Sequence, residues 1–180
     1  SANRYHLEKL SGTFRGFPLF VEFRNESWND VHFLRSFLRD NQLGIVNADL
    51  PRINRYMPFV TEVAGTTAYV RLHGRNEKGW LVNGMDTRYD YLYNAKELRE
   101  LKRRLAALEE KCENINIIFN NTTGGKAIAN ALQMMAMLRE GKPVLVPQAT
   151  ALAFPYLLDN VNAVVDNGLF ADEKLYRRAG

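Results

Sequence analysis

Cysteine, histidine and long apolar runs are all scarce in this chain of 180 residues, and each scarcity excludes a class of protein. The one cysteine, Cys112, excludes an internal disulfide and favours a reducing compartment, so we expect a cytoplasmic protein. Cys112 and the three histidines (His6, His32 and His73) show no zinc-ligand spacing, and we expect no metal site. No apolar run approaches the roughly 20 residues of a membrane-spanning helix, so we expect no membrane span.

Charge of one sign is not in large excess either, because 24 Lys and Arg residues stand against 20 Asp and Glu, a net charge of +4. Such a balance permits an acidic partner but does not by itself predict one. A length of 180 residues suits one well-buried domain, so we treat residues 1–180 as a single domain. No pattern in the sequence indicates a particular cofactor.

Short apolar runs alternate with stretches of helical periodicity along the chain. The runs predict strands at 19–24, 43–50, 68–73 and 115–119. Helices are predicted within 4–17, after Asn29 or Asp30, after Asn94 and after Lys126. Alternation of this kind requires parallel strands with right-handed crossovers, so the predicted class is α/β, as either a barrel or an open sheet.

Other stretches lack clear periodicity. Residues 51–67 and 74–93 are predicted as irregular connections, of a length that in compact domains is either functional or disordered. The last forty residues hold a short apolar run at Val144–Val146, a segment rich in proline and alanine, and a weakly helical tail. The two long connections are therefore candidates for a functional role.

Polar side chains gather at the carboxyl ends of the predicted strands, namely Glu22, Arg24, Asp49, Arg71, His73, Arg75, Asn120 and Asn121. This edge is where ligands bind in α/β folds. Arg71 needs a carboxylate or a bound anion beside it, because breaking a buried ion pair costs about 3–5 kcal/mol. We therefore expect a polar pocket, with Glu22, Asp49 and His73 as candidate acid–base catalysts. The alternative is a satisfied ion-pair network that fixes the strand register.

The run Thr122-Thr123-Gly124-Gly125-Lys126 opens a helix directly after a strand. Backbone N–H groups at a helix start, glycines that permit close approach and a lysine suit a phosphate or carboxylate. The run lacks the first glycine and the spacing of a Walker A loop. A capped helix start after a tight turn is the alternative, but the nearby Arg71 and Arg75 favour anion binding.

Aromatic and basic residues interleave in the connection 74–93, which holds Trp80, Tyr89, Tyr91 and Tyr93 among Arg75, Lys78 and Arg88. Aromatic faces beside cations can stack bases and hold phosphates, so a nucleic-acid-binding protein is the alternative function. The same aromatic residues could instead attach a lid to the sheet, which is the interpretation we favour. Residues 51–58 permit the same two interpretations.

Three short motifs resemble those of one family. They are Val21-Glu22-Phe23-Arg24 with Ser27-Trp28, then Tyr69-Val70-Arg71-Leu72-His73-Gly74, then Phe119-Asn120-Asn121-Thr122, with a tyrosine-rich segment at 89–93 between the last two. In this order they resemble the YecE-like family, catalogued as domain of unknown function 72, over about residues 7–140. The resemblance implies a TIM-barrel fold and a site at the strand ends, but no reaction, because the family has no assigned activity.

The chain departs from the family pattern at its N-terminus. Family members are longer and begin with a strand that carries a Gly-Thr-Ser-Gly-Trp-like motif, which is absent here. The resemblance therefore implies the C-terminal part of a barrel, without its N-terminal strands. Four strands do not close a barrel of eight, so we expect self-association through open edges or an atypical fold. A fragment without activity of its own is a further hypothesis.

These observations combine into one prediction of function. We expect a YecE-like protein that binds an anionic, phosphate-bearing ligand in a polar pocket at the strand ends, and whether it is an enzyme stays open. The predicted ligand-binding residues are Arg24, Trp28, Arg71, His73, Arg75, Asn76, Asn120, Asn121, Thr122 and Lys126.

Overall fold

The structure, a computed structural model, describes residues 2–53, 55–82 and 85–166. The helices of this part are α1 (Ala2–Thr13), α2 (Val31–Asp40), α3 (Glu77–Leu81), α4 (Met85–Arg88), α5 (Ala95–Glu109), α6 (Lys126–Leu138), α7 (Gln148–Ala153) and α8 (Tyr156–Asn160). The strands are β1 (Leu19–Val21), β2 (Leu43–Asp49), β3 (Thr67–Leu72), β4 (Asn114–Phe119), β5 (Val144–Pro147) and β6 (Ala163–Asp166).

The first four strands form one parallel sheet in the order β1-β2-β3-β4. In this register Ala48 lies beside Arg71, and Arg71 lies beside Ile118 on the next strand. All four strands run the same way, so their carboxyl ends lie along one edge. The predicted α/β class with parallel strands is confirmed, and the polar strand ends are neighbours as the alternation required.

Helices cover one face of this sheet. The alternating side chains Ala68, Val70 and Leu72 of β3 pack against the leucine stripe of α5 and Met134 of α6. Leu43 and Ile45 of β2 pack in the same way against α2. Each fully buried aliphatic side chain contributes about 1.5–3 kcal/mol, so these two contacts hold the helices to the sheet. The helix predicted after Asn94 is confirmed as α5, and it begins with a capping box in which Asn94 and Glu97 each bond the other's backbone N–H.

The opposite face of the sheet carries the other half of each alternating strand. The rings of Phe20 and Tyr69 lie 5.4 Å apart on this face, and Ile118 is partly exposed there. The described residues leave the sheet open between β1 and β4, and they form no closed barrel. The barrel that the family resemblance implies is therefore absent from this part of the chain, and only the parallel α/β arrangement is observed.

A second, two-stranded parallel sheet pairs β5 with β6. The apolar run at Val144–Val146 thus forms a strand, but the partner strand at 163–166 was not predicted, because four residues give too short a periodic signal. The segment rich in proline and alanine holds α7 and α8. The predicted helical tail, residues 167–180, lies outside the described residues.

The connection 74–93 is not irregular throughout, which corrects the prediction. It contains α3 and α4, which we call the lid. The lid is tightly built, because a Cβ on Gly79 would stand 2.3 Å from the backbone oxygen of Thr87. Asn76 caps α3 and also donates to the backbone oxygens of Thr87 and Asp90. Trp80 of the lid packs on Ala48 and Leu50, so the lid covers the carboxyl end of β2.

Candidate functional site

Glu22 is the centre of a hydrogen-bonded cluster at the carboxyl edge of the sheet. It lies one residue beyond β1, and its Oε1 accepts from Nε of Arg24 at 2.7 Å. Its Oε2 accepts from Nη1 of Arg71, on β3, at 3.0 Å. His73 and Asn120, each just beyond its strand, complete the cluster through contacts to Glu22 and Arg71. We call these five residues the arginine cluster.

Both ring nitrogens of His73 form hydrogen bonds within the cluster. Its Nε2 lies 3.0 Å from Oε1 of Glu22, and its Nδ1 lies 3.1 Å from the amide nitrogen of Asn120. The amide of Asn120 is oriented by Arg71, whose Nη2 donates to the Asn120 oxygen at 3.1 Å. Because the carboxylate of Glu22 can only accept, Nε2–H of His73 donates to it.

The carboxylate of Glu22 is held in its charged form. Burial alone raises its pKa, but the hydrogen bonds and charges of His73 and Arg24 outweigh burial and lower the pKa from its ordinary 4.5 to about 2. One carboxylate thus faces two guanidinium groups. The arginine cluster therefore carries a net positive charge, and the two guanidiniums are partly open to solvent, at 39% for Arg24 and 36% for Arg71.

The lowered pKa predicts how stability depends on pH. Because the folded pKa lies below the unfolded value, Glu22 contributes its full stabilisation above about pH 4.5 and loses it as pH falls toward about 2. We expect the urea-derived free energy of unfolding to fall across this window and to fall less steeply in Glu22→Gln. Part of the slope should remain in that variant, since the charges of Arg75 and Arg104 outweigh burial and lower the pKa of Glu100 as well. Equal slopes in both proteins would contradict the assignment.

Asp49 and Arg75 form a separate ion pair on the helix-covered side of the sheet. Both guanidinium nitrogens Nε and Nη2 donate to the carboxylate at 2.8 Å, and the two side chains are only 5% and 11% exposed. The hydroxyl of Tyr93 donates to Asp49 at 2.8 Å and accepts from the backbone N–H of Gly74. Burial and the Asp49 charge raise the pKa of Tyr93 well above its ordinary value, so its hydroxyl stays protonated and able to donate.

Gly74 separates these two groups of charges. Its φ of 87° lies in the left-handed region, and a Cβ there would stand 2.5 Å from Cβ of Tyr91. The turn interrupts the alternation of β3, so Arg75 lies on the other side of the sheet and bonds Asp49 and Glu100. Arg71 and His73, before the turn, bond Glu22. The structure thus joins Glu22, Arg24, Arg71, His73 and Asn120 directly, and it gives Asp49 and Arg75 to a different network.

The lid supplies an aromatic border to the arginine cluster. The ring of Trp80 lies edge-on to His73 with centroids 6.0 Å apart, and the ring of Tyr89 lies 5.8 Å from His73. The guanidinium carbon of Arg24 stands 5.5 Å from the centroid of Trp80. These contacts place the basic and aromatic connection beside the cluster, a position that its sequence pattern alone did not predict. Neither Trp80 nor Tyr89 was among the predicted ligand residues.

Several predicted ligand residues lie outside the arginine cluster. Trp28 packs on Phe23 and Phe37 within the core under α2. Asn76 holds the two lid helices together. The amide nitrogen of Asn121 donates to the backbone oxygen of Tyr91 and to Asn130 of α6, which joins the end of the lid segment to that helix.

The glycine run before α6 is built without a side-chain cap. Gly124 and Gly125 both have positive φ, 63° and 77°, and Gly125, which has no side chain, is the N-cap residue of α6. Thr122 is exposed. Lys126 forms an ion pair with Asp90, so its ammonium group bridges α6 to the segment after the lid.

Two well-formed cavities lie away from the arginine cluster. One, of about 560 Å³, is lined by residues of α5, α6 and the loop before β5, including Arg99, Met137 and Lys142. The other, of about 570 Å³, opens at the amino ends of β1 and β2, beside Arg35 and Glu62. Neither lining includes a member of the cluster. The charges and hydrogen bonds of the cluster, rather than the size of a cavity, therefore mark it as the candidate site.

The part of the chain that the structure describes holds no group of three or more His, Cys, Asp or Glu side chains placed to bind a metal ion. Within the same residues, no helix is both long enough and apolar enough to cross a bilayer. The cytoplasmic location stays a prediction.

Comparison with known proteins gives one consistent family. The profile of the family described as "Protein of unknown function DUF72" matches residues 1–152. The chain is 34% identical over 131 residues to UPF0759 protein YunF of Bacillus subtilis. The matched region covers 67% of this chain and 46% of that protein.

Solved structures agree with this match. A DUF72 family protein from Thermotoga maritima is 37% identical, with a TM-score of 0.71 over 77% of this chain and 52% of its own. One from Enterococcus faecalis is 33% identical, with a TM-score of 0.70 over 77% of this chain and 54% of its own. The chain thus spans about half the length of the relatives it matches. It belongs to the DUF72 family of proteins of unknown function, as the three motifs predicted.

Proposed function

We propose that the protein binds an oxyanion between the guanidinium groups of Arg24 and Arg71, and that phosphate-bearing molecules are the favoured ligands. One observation carries the proposal: a single carboxylate, Glu22, holds two partly exposed arginines at 2.7 and 3.0 Å. The pairing fixes the orientation of both guanidiniums but neutralises only one of them. A preoriented excess of positive charge at the carboxyl edge of a parallel sheet suits an anion.

The donors that remain on these arginines support the same ligand. A guanidinium has five N–H donors, and the bonds from Arg71 to Glu22 and Asn120 use one on each of two nitrogens. Arg71 bonds Glu22 through one nitrogen and Asn120 through another, and Asn120 in turn bonds His73. The guanidinium of Arg71 is therefore held in one orientation. An oxygen-rich anion would therefore meet donors that need little reorganisation, which favours binding.

Binding suits this site better than acid–base catalysis by the predicted candidates. The pKa of Glu22, near 2, makes it a weak base at neutral pH. His73 is fully buried, and both of its ring nitrogens already have partners. Asp49 is bonded by Arg75 and Tyr93 on the other side of the sheet. We therefore assign Glu22 and His73 to positioning the arginines.

The proposal is tested by comparing Arg71→Ala with Arg39→Ala in calorimetric titrations with inorganic phosphate and pyrophosphate. Arg39 is a matched control, because it is highly exposed and pairs only with its neighbour Asp40 among the contacts described. Losing a charge-assisted hydrogen bond should weaken anion binding by about tenfold or more in Arg71→Ala. Arg39→Ala should bind as the parent does. Equal affinities in all three proteins, or no binding of either anion by the parent, would refute the site.

Nucleic-acid binding by the basic and aromatic connections stays the alternative prediction. Trp80 packs against Tyr56 and Tyr89 and is almost wholly buried, so it could stack on a base only after the lid had moved. A small oxyanion needs no such movement, which is why we favour it. The TIM-barrel type, self-association through the open sheet edges and the fragment hypothesis likewise stay predictions.

A further inference from the structure

Two buried donors at the lid have no acceptor among the described residues. They are the indole N–H of Trp80, on α3, and the Nε–H of Arg88, at the end of α4. Trp80 is only 7% exposed. Leaving a donor buried without a partner is costly, so such groups in a folded protein call for an explanation. Because both groups are donors, what they lack is an acceptor.

Trp80 borders the arginine cluster, and Arg88 packs against Trp80. The guanidinium carbon of Arg88 lies 5.2 Å from the centroid of the Trp80 ring, and that of Arg24 lies 5.5 Å from the same centroid. The ring of His73 meets Trp80 edge-on at 6.0 Å. Trp80 therefore stands at the junction of Arg24, Arg88 and the buried imidazole. The lid thus holds a third guanidinium, that of Arg88, against the ring that borders the cluster.

The charges at this junction are unbalanced. Glu22 is shared by Arg24 and Arg71, and the nearby carboxylates Asp49 and Asp90 are bonded to other cations, Arg75 and Lys126. Three guanidiniums against the one carboxylate of Glu22 leave an excess of two positive charges. A ligand that matches this excess carries two negative charges and several acceptor oxygens.

We propose that Arg88 is a third ligand-binding arginine, carried by the lid, and that the site takes a dianionic phosphate monoester in preference to a monoanionic phosphate. The inference rests on the proposed function and adds the ligand's charge class and the lid's part in selecting it. The terminal phosphate of a monoester has three oxygens free to accept hydrogen bonds, whereas a diester has two and one charge fewer.

The test uses methyl phosphate and dimethyl phosphate, which share a phosphorus centre and differ in charge. At pH 8 the monoester is a dianion, because its second pKa is about 6. Calorimetric titration of the full chain should show methyl phosphate binding at least about tenfold more tightly than dimethyl phosphate. Arg88→Ala should reduce this preference to about twofold or less, because the affinity for methyl phosphate should fall more than the affinity for dimethyl phosphate.

Two further variants make the result interpretable. Lys78→Ala removes an equal charge from the exposed side of α3 and should leave the preference unchanged. Arg88→Lys keeps the charge, loses the planar fork and should retain part of the preference, with a thermal melt to confirm that the lid variants fold.

The outcomes separate the two proposals. If the parent binds both phosphates equally, or if Arg88→Ala keeps the full preference, the inference about Arg88 is overturned while anion binding at Arg71 stands. If Arg88→Ala weakens both ligands by the same factor, the lid does not select charge and the inference is again overturned. If the parent binds neither phosphate, the proposed function itself fails.

Discussion

Replacing Glu22 with alanine is expected to lower the free energy of unfolding by about 2–4 kcal/mol and to abolish oxyanion binding in the same protein. Removing the carboxylate leaves Arg71 and Arg24 without their shared acceptor and leaves the N–H of His73 buried without a partner. The two arginines would repel each other and lose their common orientation. Urea unfolding and calorimetric titration with phosphate measure the two effects.

Glu26→Ala is the matched control for this experiment. Glu26 lies four residues away and is exposed, so its replacement should change stability by less than about 0.5 kcal/mol and leave phosphate binding intact. If Glu22→Ala were as stable as Glu26→Ala and bound phosphate as the parent does, Glu22 would not be the centre of the site.

Replacing Asp49 with alanine is expected to lower the free energy of unfolding by about 3–5 kcal/mol, a larger loss than at Glu22. Both members of the Asp49–Arg75 pair are nearly buried, and the variant also leaves the Tyr93 hydroxyl without its acceptor. Urea unfolding measures the loss. Asp40→Ala removes a carboxylate from an exposed pair and should cost about 1 kcal/mol or less.

Ligand affinity distinguishes the two carboxylates. Asp49 and Arg75 lie on the helix-covered side of Gly74, so the folded fraction of Asp49→Ala should bind phosphate with nearly the parent's affinity. A stability loss of less than about 1 kcal/mol, or a specific loss of phosphate affinity in the folded protein, would contradict the division into a structural pair and an arginine cluster.

The sheet and its functional edge could be predicted because strong local patterns carried them. Short apolar runs marked the four strands of the first sheet, and helical stripes between them required parallel pairing. Parallel pairing in turn placed Glu22, Arg71, His73 and Asn120 at one edge. These steps depend on spacing along the chain, which sequence displays directly.

The division of the charges between two networks could not be predicted. Arg71, His73 and Arg75 have the same parity along the chain, so alternation alone puts all three on one face. The left-handed φ of Gly74 reverses that expectation for Arg75, and nothing in the local pattern says which carboxylate each arginine meets. The partner of a charged side chain is set by tertiary packing.

The helices of the lid could not be predicted, for a different reason. The helices α3 and α4 have five and four residues, too few to show a helical stripe. Their position is set by contacts that are distant in sequence, such as Trp80 on Ala48 and Leu50. The sequence therefore shows Arg88 and Trp80 only as part of a basic and aromatic connection, although Trp80 borders the arginine cluster and Arg88 packs on Trp80.

The most direct test of the central claim is a crystal structure of the chain grown with tungstate, an oxyanion shaped like phosphate whose metal gives a strong anomalous signal. We predict an anomalous peak with its oxygens in hydrogen-bond reach of the guanidinium groups of Arg24 and Arg71. A peak confined to other surfaces, or an unoccupied arginine cluster at a tungstate concentration that saturates the protein in solution, would contradict the anion site.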